Sequence, residues 1–288
     1  MESKRNVDEI IALYDLEDTV RDIYVEGSSD KSFFQWLIGT GTECGSEVYS
    51  ADDIFVSNDL LDKYSLGHGS NRSRIIAVSR AISEALPEKS NAIFVVDRDF
   101  SDYCNEELGS HLLRHTDYNS IELYALNENA VKKLMALAYG RFSPTLPNFY
   151  KDMVDILKKL YAIRLTNVLL SWNMSWLDFN KYVKVGDAID FSEEKYIEAY
   201  LNKNSCWSRK EEFYDTLYEC KKNLSEDFRL SVRGHDFTVL LMHILNKKIP
   251  SRKLDKIDIF EGFVMGLLEK NDLVEENLIR EVFEFTKN

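Results

Sequence analysis

Four prolines and twelve glycines in 288 residues leave this chain few compulsory breaks, so long uninterrupted elements are allowed. Cysteine is as scarce. Cys44, Cys104, Cys206 and Cys220 stand far apart with no CxxC pair, which excludes zinc-ligand spacing and suggests no disulfide framework. They read as reduced thiols without a metal role. No stretch approaches the roughly 20 apolar residues that cross a bilayer. The opening MESKRNVDEIIALYDLEDTV lacks the apolar run of a secretory signal, so a cytoplasmic protein is expected. Positive charge is also short: 36 Lys and Arg face 49 Asp and Glu, a net of -13. That balance argues against a nucleic-acid binder working by bulk electrostatics.

What is present is material for a core. Hydrophobic residues make up 44% and aromatics 12%, which is not a disordered composition. The length suits one large domain or two ordinary ones. The charge is unevenly spread. Residues 1–130 hold 11 basic and 25 acidic residues, the remaining 158 hold 25 and 24. Within the second part, residues 131–164 carry seven basic residues (Lys132, Lys133, Arg141, Lys151, Lys158, Lys159, Arg164) and two acidic ones. Such asymmetry hints at a charged ligand, and the plain alternative is a solvated helix face.

The pattern changes along the chain. Residues 7–19 suit a short amphipathic helix, RDIYV at 21–25 a strand, and SSDKSFFQWLI a helix that Ser28 or Ser29 can cap. One or two short strands are expected within 47–56. The glycine-containing segment SLGHGSNRS leads into a helix over about 73–86. AIFVV at 92–96 is a continuous apolar run of the kind buried on both faces of a parallel sheet. A further strand is expected near Ser120–Tyr124. Strand–helix–strand alternation predicts an α/β layer with a parallel sheet. After about residue 126, helical periodicity dominates over 128–139, 149–164, 192–203, 208–224, 236–247, 257–270 and 272–286. The chain thus divides into an α/β domain over 1–130 and a mainly α-helical domain over 131–288, with GRFSPTLPN at 140–148 as the linker-like stretch.

Two acidic clusters fall at predicted strand ends. Glu26 ends one strand and Asp30 lies in the first turn of the next helix. Asp97 and Asp99 follow the most hydrophobic strand. In open α/β sheets ligands bind beyond the carboxyl ends of the strands, so adjacent strands would gather these carboxylates. Gathered carboxylates repel one another unless a cation neutralises them, and hard oxygen donors suit Mg2+ or Mn2+. Such ions serve phosphodiester hydrolysis. Each feature alone has a plain reading: a DxD is usually a turn, and an acidic residue in a first helical turn, as Asp30, suits the helix dipole.

Together these residues resemble the TOPRIM domain, a Rossmann-like parallel-sheet fold shared by topoisomerases, primases and several nucleases. The ExxxD spacing of Glu26 and Asp30 is closer to the OLD-family nucleases, and Glu122 in Asn119-Ser-Ile-Glu122 matches a third acidic position of that group. Gly234-His235-Asp236 precedes a helix where relatives carry Gly-Lys or Gly-His. The full set is similar to the stand-alone TOPRIM effectors of PARIS anti-phage defence. That resemblance implies a toxic endoribonuclease of abortive infection that cuts host tRNA. It also implies restraint by a partner ATPase and a homodimer when active. Glu26 would be a metal ligand and candidate general base, with Asp97 and Asp99 as ligands. Asp30 and Glu122 would complete the metal site, and His235 would join the catalytic set. For nucleic-acid contact the candidates are Arg72, Lys151, Lys158 and Lys159. The alternatives are a DNA nuclease of OLD type and a non-catalytic acidic binding subunit. A phosphatase-like DxDxT reading fails locally, because Phe100 and Ser101 follow Asp99.

Overall fold

The computed structural model describes residues 4–39, 45–104, 109–139, 148–248 and 255–287. Cys44, Arg141 and most of the 140–148 segment lie outside the described residues. The chain forms two compact units, Met1–Ile121 with Glu269–Asn288, and Glu122–Leu268. A contiguous cut at 130 assigns the chain's last twenty residues to the helical half. In the structure they pack with the first unit instead, where the closing helix Asn277–Lys287 lies against the helix Ser28–Ile38.

The first unit is mixed α/β. Helix α1 (Val7–Leu16) is opened by Asn6, whose side chain accepts from the Asp8 amide while Glu9 reaches back to the Asn6 amide, a capping box. Strand β1 (Arg21–Val25), helix α2 (Ser28–Ile38), strand β2 (Ser46–Ser50), helix α3 (Asn71–Ala85), strand β3 (Ala92–Val96) and strand β4 (Leu113–His115) follow. The four strands form one parallel sheet in the order β2-β1-β3-β4. All five residues of AIFVV are buried, as a central parallel strand requires. In register across the sheet, Tyr24 stacks on Phe94 at 4.5 Å and on Tyr49 at 5.3 Å. Such cross-strand pairs fix strand alignment. This face is covered by α1 and α3 through Ile10, Tyr14, Ile75, Val78 and Ile82. Alternation sends Ile23, Val25, Ile93 and Val95 to the opposite face.

At the amino end of β1, Asp22 is 2% exposed yet fully provided for. Tyr14 donates to it at 2.7 Å and Arg5 at 3.1 Å, with Arg5 also lying over the Tyr49 ring. Burial drives the Tyr14 and Tyr24 hydroxyls far above their ordinary pKa, so they remain donors.

The strand expected near Ser120–Tyr124 is not one. Ile121–Ala125 is a 3-10 turn, and the fourth strand lies earlier, at Leu113–His115. Ile121, Leu123, Tyr124 and Ala125 are all buried, and so short an apolar stretch does not by itself distinguish strand from helical turn.

The second unit is mainly helical: α4 (Glu128–Tyr139), α5 (Phe149–Leu169), α6 (Glu193–Lys203), α7 (Lys210–Lys222), α8 (Gly234–Lys248) and α9 (Ile257–Met265). Helix α5 is its spine, burying Met153, Leu157, Leu160, Ile163 and Thr166 and packing on α7 and α8. It also contains a hairpin that helical periodicity does not foresee: β5 (Val183–Val185) pairs antiparallel with β6 (Ile189–Phe191) around Gly186-Asp187. Among the aromatics of this unit, Trp172 and Trp176 are half-buried, whereas Trp207, Tyr214 and Tyr218 are exposed.

Candidate metal and catalytic site

Parallel pairing of β1 with β3 brings their carboxyl ends together, and the residues just beyond each strand meet there. The Asp97 amide donates to Glu26 Oε1 at 2.9 Å. Glu26 is therefore tied across the strand ends by backbone rather than left to a flexible side chain. Asp99 follows in a left-handed turn, φ 45°, a conformation Asp tolerates better than most residues. Its amide donates to the Asn119 carbonyl at 3.1 Å.

Asp30 has a local task. Its Oδ2 accepts from the Gly27 amide at 2.9 Å, and Gly27, not Ser28 or Ser29, is the cap of α2. The plain reading of Asp30 as a first-turn acidic residue is thus realised, and it holds the turn that carries Glu26. A Cβ on Gly27 would sit 3.3 Å from that carboxylate, so glycine permits this close approach.

Arg72 is the centre of the site. It stands in the first turn of α3, which Ser70 caps through the Ser73 amide. Its Nη1 donates to the Asp97 carbonyl and lies 3.4 Å from Glu26 Oε1. Its Nη2 donates to Ser101 Oγ at 3.0 Å and lies 3.4 Å from His115 Nε2. One guanidinium thus joins the ends of β1, β3 and β4. Its side chain is 19% exposed and that of Glu26 22%. Sequence reasoning set Arg72 aside for nucleic-acid contact, and its donors are instead engaged within the protein.

Electrostatics at Glu26 are divided. Burial raises its carboxyl above the ordinary range, Arg72 and the Asp97 amide pull it down, and the Asp99 charge pushes it up again. Arg72 therefore does not fully offset the cost of ionising Glu26. The donor chemistry of Glu26, Asp97 and Asp99 fits a hard divalent cation. Among the described residues, no three His, Cys, Asp or Glu side chains are gathered as a ready-made metal cage. A metal here would share Glu26 with Arg72.

The remaining candidates lie in the second unit. Glu122 is half-buried on the 3-10 turn. His235 begins α8 and has a partner unforeseen in the sequence: Nδ1 lies 3.0 Å from Glu261 Oε1, which raises the His235 pKa and lowers that of Glu261. Lys151 is exposed and Lys158 and Lys159 are half-exposed on α5, sharing the helix with Asp152 and Asp155. Two other members of the basic segment have acidic partners. Arg164 forms two bonds to the buried Asp236, and Lys132 pairs with Glu128.

Sequence reasoning missed Ser101 and His115. His115 had a usable signal, since it ends a strand just as Glu26 and Asp97 follow theirs, but the fourth strand was placed too late for that to show. No known family's sequence pattern matches this chain, and no curated protein is significantly similar to it.

Proposed function

We propose that this chain is a metal-dependent phosphodiesterase of TOPRIM type that cleaves nucleic acid. The observation that carries the reading is the placement of Glu26, Asp97 and Asp99 just beyond the carboxyl ends of adjacent parallel strands, where α/β enzymes bind ligands. Bound Mg2+ or Mn2+ would supply Lewis-acid charge for a phosphodiester. Glu26, held across the strand ends by the Asp97 amide, is the ligand and candidate proton acceptor. Asp97 and Asp99 are the further ligands. Asp30 braces the Glu26-Gly27 turn, and the assignments of Glu122 and His235 rest on the OLD-like resemblance.

Transfer RNA is the proposed substrate, in preference to duplex DNA. The acidic first unit repels polyanions away from the metal, and Lys151, Lys158 and Lys159 offer phosphate contacts on α5. With Arg164 committed to Asp236, that basic surface is smaller than the sequence suggests, so the choice of tRNA leans on the resemblance to PARIS-type effectors. The same resemblance supplies a restraining ATPase partner and an active homodimer. The rival reading, a non-catalytic acidic binding module, is favoured by one observation: Glu26 already has a cation beside it in Arg72.

The test is incubation of the purified, partner-free chain with Mg2+ and a mixture of plasmid DNA, total RNA and tRNA. Cleavage of tRNA that chelator stops is expected. Plasmid degradation with tRNA intact would overturn the substrate, and no cleavage of any of the three would favour the binding module.

A further inference from the structure

Glu26 already has a cation beside it, and the contact between them is long. On one side Arg72 is anchored by neutral acceptors, the Asp97 carbonyl and Ser101 Oγ. On the other, its contact with the Glu26 carboxylate is 3.4 Å, beyond the roughly 2.7–2.9 Å of a charge-assisted bond. Glu26 keeps a separate tether, the Asp97 amide at 2.9 Å, that does not depend on Arg72. The carboxylate would thus stay in place without the guanidinium, and the guanidinium has other holds if the carboxylate turns to another cation.

We infer that Arg72 is a resident counter-cation that competes with a divalent metal for Glu26 and thereby sets how readily the site fills. This rests on the metal-dependent reading above and names the residue that regulates it. Two cations beside one carboxylate repel each other, so removing one strengthens the hold on the other. The sign separates this role from a structural one. If Arg72 merely braced the site, its loss would loosen the ligands and weaken metal binding. Under competition, its loss tightens binding.

The experiment is calorimetric titration with MnCl2 of the full chain as wild type, R72Q, R72K and E26Q, with circular dichroism to check folding. R72Q is expected to bind Mn2+ about tenfold or more tightly than wild type, the size of an ordinary coupling between sites. R72K, which keeps the charge, should remain near wild type, and E26Q should lose binding. Equal or weaker binding by R72Q overturns the inference while leaving the metal reading intact. Absence of binding in both wild type and R72Q overturns both. Should R72Q fail to fold, the wild-type protein still decides: the Arg72 Nε–Hε resonance is expected to move on Mg2+ titration and to stay fixed in E26Q. A resonance that stays fixed in wild type while calorimetry shows binding overturns the inference.

Discussion

Arg164 in the second unit and Arg72 in the first are both drawn inward, and their partners differ in kind. Arg164 meets Asp236 through two bonds of 2.7 and 2.8 Å and lies 3.5 Å over the Trp176 ring. Asp236 is 2% exposed, so each charge has one dedicated, geometrically matched counterpart. Arg72 instead lies 3.4 Å from Glu26 and also donates to the Asp97 carbonyl and to Ser101 Oγ, with His115 close by. Glu26, just beyond β1, is left with a carboxyl raised by burial, whereas Asp22, buried within that strand, has Arg5 and Tyr14 directly on its carboxylate. Matched charge serves architecture. A strand-end carboxyl raised by burial instead marks a candidate functional site.

The sharpest way to break this contrast is at the matched pair. Asp236→Ala leaves the Arg164 guanidinium inside the fold without a counter-charge and is expected to cost about 3–5 kcal/mol of unfolding free energy, read by urea denaturation. A loss below about 1 kcal/mol, the range of an exposed pair, would mean that Asp236 is not the architectural partner its geometry suggests.

A smaller effect sharpens the other side. Because the folded-state pKa of Glu26 is raised, the folded form holds that proton more tightly than the unfolded one. Its stabilising contribution is full below the ordinary carboxylate pKa and is lost as pH rises through the raised value. Metal-free wild type is therefore expected to lose stability relative to Glu26→Gln as pH climbs out of the carboxylate range, by less than Asp236→Ala loses. Melting temperatures of the two proteins from acid to neutral pH would show this. If wild type gains on Glu26→Gln as pH rises, Arg72 matches Glu26 as fully as Arg164 matches Asp236, and the contrast fails.

Elements with a strong period or an unbroken apolar run were legible from the residues alone. RDIYV, AIFVV and the helices that became α5, α7 and α8 fall close to where the sequence puts them. The placement of Glu26, Asp97 and Asp99 after buried parallel strands was legible for the same reason. Long-range partners were not. Nothing local marks Arg72 as the hub of the site rather than a surface cation, or Arg164 as half of a buried pair, since both facts depend on residues at least 25 positions away. The Val-Lys-Val and Ile-Asp-Phe strands flanking a Gly-Asp turn carried a hairpin signal, masked by the helical periodicity around them. His115 was hidden because its strand is only three residues long, too short for alternation to declare itself.

Whether the strand-end carboxylates carry out hydrolysis is decided most directly by tRNA cleavage assays on Glu26→Ala, with Mg2+ present and folding checked by circular dichroism and melting temperature. Glu26→Ala is expected to keep its fold and lose cleavage by about 1,000-fold or more, Asp97→Asn to fall comparably, and the double variant to fall no further, as for residues that act as a unit. A folded Glu26→Ala protein that cleaves at the wild-type rate would contradict the assignment of the site.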